Sequence, residues 1–318
     1  MITRVDEDLT PLVAEQRAVN ERLMRDWQRM PVPGTVPVER MRRARRFNPD
    51  GSSRVKLVDH AVDRELSSSH GQFMARVFPV DNSVGLYIHF HGGGWTLGSI
   101  YEQDELLDAL SKATRLTAIS IDYPLAPEHQ LDQALVRAKA SAQAVIEAYG
   151  YQNVCLGGES AGAHIAVAVA LDLAGEQEHA SKLRGLNLCY GLYDLSMTPS
   201  QRRAGDAFLG MSKPYLEWFY RLALPGRSGE ERRDPAVSPL YRNLADMPPC
   251  VFSAGELDPL LDDTLFMAAR WTAAGNAADL YVYPQSHHGF NGLRTRMAEV
   301  ANDRIHRFLA NCVEGSRS

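Results

Sequence analysis

Cysteine is scarce: four in 318 residues, with no C-x-x-C spacing among them. That excludes a disulfide-stapled scaffold and a cysteine-built metal centre. Cys155, Cys189 and Cys250 lie in apolar, strand-like runs, where a free thiol behaves as a small hydrophobe, so reduced core cysteines are expected. Long apolar runs are missing as well. No stretch approaches the roughly 20 residues of a membrane span, and Asp6, Glu7 and Asp8 stand where a signal peptide would need its apolar region. The expectation is a cytoplasmic protein with no membrane partner. Nor is there an excess of charge: 39 acidic and 34 basic side chains leave a net charge of -5, which steers the chain toward neither nucleic acid nor an anionic surface. Repeats and low-complexity tracts are absent. What is present is an ordinary globular composition, 45% apolar and 23% charged, able to bury a substantial core around a small-molecule site.

The chain opens with a helix-start signal. Thr10 can cap, Pro11 takes the first helical position, and Leu12, Val19, Leu23 and Trp27 share one face. Residues 31–37 hold too much proline and glycine to continue any regular element, and they join an appendage, residues 1–50, to a core spanning 51–318. Arg40, Arg42, Arg43, Arg45 and Arg46 follow. Without interleaved aromatics this cluster reads as a solvated face rather than an anion site.

From about residue 54 short β-type runs give way to alternating strands and helices, the mark of a mainly parallel sheet covered on both faces. Strands are expected at 85–90, 117–123, 154–157, 186–190, 251–254 and 280–283. Helices are expected at 102–114, 131–148, 161–174, 261–274 and 294–309. The exception is an insertion at about 195–234, where Phe208, Leu209, Tyr215, Trp218 and Phe219 fall in helical register and could cover the sheet edge as a lid.

Chemistry concentrates at four places. Gly158-Glu159-Ser160-Ala161-Gly162 lies between an apolar run and an alanine-rich helix, the strand, turn and helix context of a nucleophile elbow. The pentapeptide alone would arise by accident in roughly one such chain in ten. His91-Gly92-Gly93-Gly94, directly after a strand, is far rarer by chance. Its bare backbone lets amides approach a ligand, so that Gly92 and Gly93, with Ala161, could hold the oxyanion of a tetrahedral intermediate. No phosphate-loop pattern accompanies it. A serine hydroxyl needs a base, and Gln285-Ser286-His287-His288-Gly289-Phe290 offers two histidines on a loop after a late strand. The histidine in turn needs a carboxylate. Gly255-Glu256-Leu257-Asp258-Pro259-Leu260 supplies one at a strand's carboxyl end, giving the order Ser160, Asp258, His288 found in α/β-hydrolases.

Taken together, His91-Gly92-Gly93-Gly94-Trp95, the run Asp122-Tyr123-Pro124-Leu125-Ala126-Pro127-Glu128-His129, the elbow, Asp258-Pro259-Leu260 and His288-Gly289-Phe290 resemble the hormone-sensitive lipase family of esterases. The match runs from 91 to 290 in the family's order, with Ala163 and Glu159 standing where many members have glycine and Asp or Thr. The resemblance implies an α/β-hydrolase fold with a helical cap built from the amino-terminal helix and the 195–234 insertion. It assigns the base to His288 rather than His287 and the acid to Asp258 rather than Glu256. A homodimer through the edge strand near 280 is also implied.

The expected activity is carboxylic ester hydrolysis through an acyl-enzyme, on short to medium acyl chains, with no cofactor and no metal. An amidase or deacetylase using the same triad is the nearest alternative, and a ligand-binding receptor on the same fold is a more distant one. Trp95, Phe208 and Trp218 are the candidate pocket-lining residues, against the alternative of simple packing. His164, His89 and His129 are expected to serve structure.

Overall fold

The protein is described by a computed structural model over residues 7–27, 34–48, 50–205 and 211–314. Eight strands form one sheet: β1 (Val62–Ser68), β2 (Gly71–Phe78), β3 (Gly85–Phe90), β4 (Leu116–Ile121), β5 (Val154–Glu159), β6 (Leu183–Cys189), β7 (Cys250–Gly255) and β8 (Ala278–Tyr283). Their spatial order is β1-β2-β4-β3-β5-β6-β7-β8. The β1–β2 hairpin is antiparallel, β2 meets β4 antiparallel, and every later pairing is parallel. The helices are α1 (Val13–Trp27), α2 (Val38–Arg46), α3 (Asp104–Thr114), α4 (Leu131–Tyr149), α5 (Ala161–Ala174), α6 (Gln177–Ala180), α7 (Pro199–Arg203), α8 (Lys213–Ala223), α9 (Leu261–Ala273) and α10 (Arg296–Glu314).

Two sequence features place the centre of the sheet. β3 is buried at every position, as a strand covered on both faces must be. α5 buries nearly all its circumference too, and its alanines let it lie close against β5 and β3. The chain runs from β3 to β4 on one side and then crosses back to β5 on the other. Such a reversal opens a crevice beyond the carboxyl ends of the flanking strands. Here those ends are Phe90, which leads into His91-Gly92-Gly93-Gly94, and Glu159, which leads into Ser160.

Expected and observed elements differ mainly at their ends. β6 begins at Leu183, three residues earlier than expected, because Arg184 and Gly185 dilute the apolar run without breaking the ladder. It stops before Tyr190, whose φ of 37° takes it out of extended conformation. β4 ends at Ile121 rather than Tyr123. Tyr123 leaves the ladder to donate its hydroxyl to the His91 carbonyl at 2.7 Å.

The amino-terminal segment occupies two positions. α1 docks on the turn before the late histidines: Asn20 Nδ2 donates to the Gln285 carbonyl at 2.7 Å, and Arg17 Nε reaches Gln285 Oε1 at 3.3 Å. α2 lies beside the crevice, where Arg40, Arg43 and Arg45 are exposed as a solvated face would be, while Arg42, Arg45 and Arg46 also make docking contacts. Arg42 donates to Glu128 (2.7 and 2.8 Å) and to the carbonyls of Thr96 and Ala126 (2.8 Å each). Arg45 pairs with Glu102 at 2.9 Å through Nε, and the Arg46 guanidinium sits 4.7 Å over the Tyr101 ring. The four cysteines are free, three of them buried. No helix among the described residues is long and apolar enough to cross a membrane.

Candidate active site

The turn from β5 into α5 forces Ser160 into a strained backbone conformation, φ 57° and ψ −121°. Only a chain without neighbouring side chains can turn this tightly. A Cβ on Gly162 would stand 1.9 Å from the Phe90 carbonyl oxygen, and one on Gly158 would stand 2.3 Å from the same atom. The elbow glycines are therefore required by the backbone of β3, which carries the adjacent loop. The result holds the serine hydroxyl at the amino terminus of α5, where the helix dipole is positive.

Ser160 Oγ lies 3.0 Å from His288 Nε2, and His288 Nδ1 lies 2.9 Å and 3.1 Å from the two carboxylate oxygens of Asp258. A buried carboxylate at Nδ1 fixes the proton there and leaves the Nε2 lone pair facing the serine hydroxyl. Asp258 is itself held by the Leu260 N–H at 2.8 Å. Of the two histidines, His288 reaches Ser160. His287 turns the other way, bonding through Nδ1 to the His288 carbonyl, and burial pushes its imidazole below the usual range. Glu256 accepts from Gln285 N at 2.8 Å and Nε2 at 3.2 Å, and so secures the turn that carries His288.

Gly92 and Gly93 line the same cavity as Ser160 and His288. Ala161, the first residue of α5, is fully buried behind the serine. His91 sets the posture of this loop. Burial pushes its imidazole down to about 4, so it is neutral at pH 7, and its Nδ1–H donates to the Gly92 carbonyl at 2.9 Å. Its ring stacks on Tyr123 with centroids 4.3 Å apart. His89 bridges Ser120 and Glu159, each at 2.9 Å, below the elbow.

The cavity measures about 490 Å³. Its walls are largely apolar: Met41 from α2, Leu97, Met211, and Tyr215 and Phe219 from α8. Two of the expected wall residues are not there. Trp95 is buried, 1% exposed, beneath α8. Its left-handed backbone (φ 57°) turns the indole away from the cavity, and Nε1 donates to His164 Nδ1 at 3.2 Å. His164 then donates from Nε2 to the Val237 carbonyl at 2.7 Å, and burial holds it neutral, its imidazole pushed down to about 4. Trp218 is also absent from the cavity wall. It is buried against Tyr215 and Phe219, with Gly34 on its other side. Phe208 lies outside the described residues. Tyr215 and Phe219 are one helical turn apart and share the cavity face, whereas Trp218 is rotated by about 100° from Phe219. The i, i+4 spacing of those two aromatics was the signal available in the sequence. Among the described residues no group of His, Cys, Asp or Glu is arranged to hold a metal ion.

Comparison with known proteins bears on the fold. A family described by the alpha/beta hydrolase fold matches residues 87–292, well over half of the chain. Among solved structures, a hyperthermophilic esterase from the archaeon Pyrobaculum calidifontis aligns with a TM-score of 0.81 at 23% identity, covering 92% of this chain and 97% of that one. A thermostable esterase from Pseudomonas putida gives 0.82 at 22% identity, covering 94% and 97%. A hormone-sensitive lipase from a metagenome library gives 0.81 at 22%, covering 94% and 98%. The chain belongs to the alpha/beta hydrolase fold family.

Proposed function

We propose that this protein is a serine carboxylesterase in which Ser160 is the nucleophile, His288 the general base and acid, and Asp258 the carboxylate that orients the histidine. The observation that carries this reading is the continuous chain of contacts Ser160–His288–Asp258, at 3.0 and 2.9 Å, opening onto a cavity floored by Gly92 and Gly93. Ser160 Oγ attacks the ester carbonyl carbon as its proton passes to His288 Nε2. The oxyanion that forms takes hydrogen bonds from the backbone amides of Gly92, Gly93 and Ala161, each such donor being worth about 3 to 4 kcal/mol of barrier. Collapse expels the alcohol, which leaves with the proton from Nε2. Water then attacks the acyl-enzyme, His288 takes its proton, and the acid departs as the proton returns to Oγ.

A cavity of about 490 Å³ with apolar walls suits short to medium acyl chains. The test is initial rates on p-nitrophenyl acetate, butyrate, octanoate and palmitate, with Ser160→Ala as the comparison. A maximum at the shorter chains and a loss of at least about 10³-fold in the variant are expected. Equal slow hydrolysis by both proteins would sink the reading. We further read the protein as cytoplasmic, which its free cysteines support, and as a homodimer through β8. Among the described residues, that strand pairs only with β7 and leaves its other edge open. Light scattering that returned a monomer mass at micromolar concentration would exclude the dimer.

A further inference from the structure

Each of the three proposed triad residues sits on a different loop, and Tyr190 touches or adjoins the anchor of all three. The Cys189 carbonyl, one residue before it, accepts the N–H of Ser160 at 2.9 Å. The Tyr190 N–H donates at 2.6 Å to the carbonyl of Ser253 in β7, the strand that leads to Asp258. Its ring stands edge-to-face against the imidazole of His288, with centroids 4.9 Å apart and planes at 65°. Finally, the Tyr190 hydroxyl donates to Asn291 Oδ1, in the short helical turn that follows His288. Asn291 is anchored in turn, its carbonyl accepting from Asn302 Nδ2 of α10 at 2.9 Å.

Two further facts make this arrangement more than packing. Tyr190 is one of the few non-glycine residues with a left-handed backbone, φ 37°, and at 3% exposure it is buried in that conformation. Strain at a non-glycine residue persists only where the surroundings over-determine it, and such residues gather at functional sites. Moreover, burial and neighbouring carboxylates push the Tyr190 phenol well above its usual range, so it keeps its proton and remains the donor to Asn291 at all working pH values.

We propose that Tyr190 is a positioning residue for the triad. Its ring fixes the plane of the His288 imidazole, and its hydroxyl tethers the His288 turn, through Asn291, to the end of the strand that also holds the Ser160 and Asp258 loops. Neither group takes part in a bond-making step. They keep His288 Nε2 on the Ser160 hydroxyl, a geometry in which displacement of about 1 Å can cost of order 100-fold in rate.

The proposal rests on the reading of His288 as the base, and its test has a readout that does not depend on that reading. Tyr190→Phe keeps the ring and removes the tether, Asn291→Ala removes the tether from the other side, and Tyr190→Leu removes the ring as well. Expected is a fall in kcat of about 5- to 10-fold in each of the first two, with KM within about 2-fold, and a double variant no slower than the worse single. Tyr190→Leu should lose about 100-fold. Independently of any substrate, the downfield proton resonance of the His288 Nδ1–H, identified by its loss in His288→Asn, should shift or broaden in Tyr190→Leu. It should be least disturbed in Tyr190→Phe. Unchanged kcat in Tyr190→Phe, or losses that multiply in the double variant, would overturn the tether. A His288 resonance unmoved in Tyr190→Leu would overturn the role of the ring. If the parent protein and Ser160→Ala cleave esters equally, the esterase reading has failed while the resonance still decides this proposal.

Discussion

At the scale of single residues, the glycine loop after β3 and helix α8 are fitted to each other through an atom that is missing. Gly94 has φ 59°, and a Cβ there would stand 2.3 Å from Cγ of Phe219, one of the two aromatics that α8 presents to the cavity. Gly289, next to His288, also has positive φ (79°), but nothing lies within 4 Å of its Cβ position. Gly289→Ala should therefore cost only the backbone term, about 1 kcal/mol. Gly94→Ala should cost about 2 to 4 kcal/mol, because Phe219 must shift with its helix, and kcat/KM should fall at least 10-fold as the cavity wall moves. Urea denaturation and initial rates on a short ester measure both. Equal stability losses in the two variants would show that Phe219 yields freely. The same scale explains what could be read in advance. Ser160, Asp258 and His288 carry their own neighbours in sequence, since the turns that aim them need particular glycines and a proline. Trp95 and Trp218 do not. Whether an aromatic faces a cavity depends on a backbone twist at Trp95 and on the rotational phase of α8, and neither is written in the residue's identity.

At the scale of elements, the sequence marks the central strands and α5 well because burial on both faces leaves nearly continuous apolar runs. It marks α2 poorly. Nine residues with five arginines look like a solvated helix, yet Arg42, Arg45 and Arg46 help dock it beside the buried Met41. Arg42 is the clearest case, with one planar fork serving the Glu128 carboxylate and the carbonyls of Thr96 and Ala126 at once. The Thr96 carbonyl belongs to the turn that closes the glycine loop, so α2 and the expected oxyanion donors are mechanically joined. Arg42→Ala should lower stability by about 1 to 3 kcal/mol, since it leaves two carbonyls without their donor in a partly buried site. Arg42→Lys should recover less than half of that, because an ammonium cannot reproduce the fork. Thermal or urea unfolding of the three proteins decides it, and full recovery by lysine would mean that charge alone docks the helix.

At the scale of the whole molecule, buried ionisable groups set how the fold responds to acid, and they pull in opposite directions. His91 and His164 are held neutral, their imidazoles pushed from near 6.5 down to about 4 by burial. In the unfolded chain both bind protons between those values, so the stability they secure is full above about pH 6.5 and is lost as pH falls toward 4. The loss is about 3 kcal/mol for each. Asp263 acts the other way. Burial pushes its carboxyl from 3.8 up to about 7, so the folded state holds a proton that the unfolded state has shed, and its contribution declines as pH rises from about 4 to 7. That is about 4 kcal/mol in the opposite sense, so Asp263 opposes the two histidines over the same interval. Over pH 7 to about 4 the parent protein therefore loses less stability than it would without Asp263. Asp263→Asn, which cannot take up the proton, should lose it about 4 kcal/mol more steeply over the same interval. Asp263 also joins α9, just beyond Asp258, to the insertion. It accepts the backbone N–H groups of Tyr193 and Asp194 and the side chains of Thr198 and Gln201, at 2.7 to 3.0 Å. Four donors favour the ionised form, and burial opposes it. Urea denaturation of both proteins across that pH range separates the two effects. A steeper slope in the variant means burial prevails and the insertion is held by a protonated acid at pH 5, whereas parallel slopes mean the four donors keep Asp263 charged throughout.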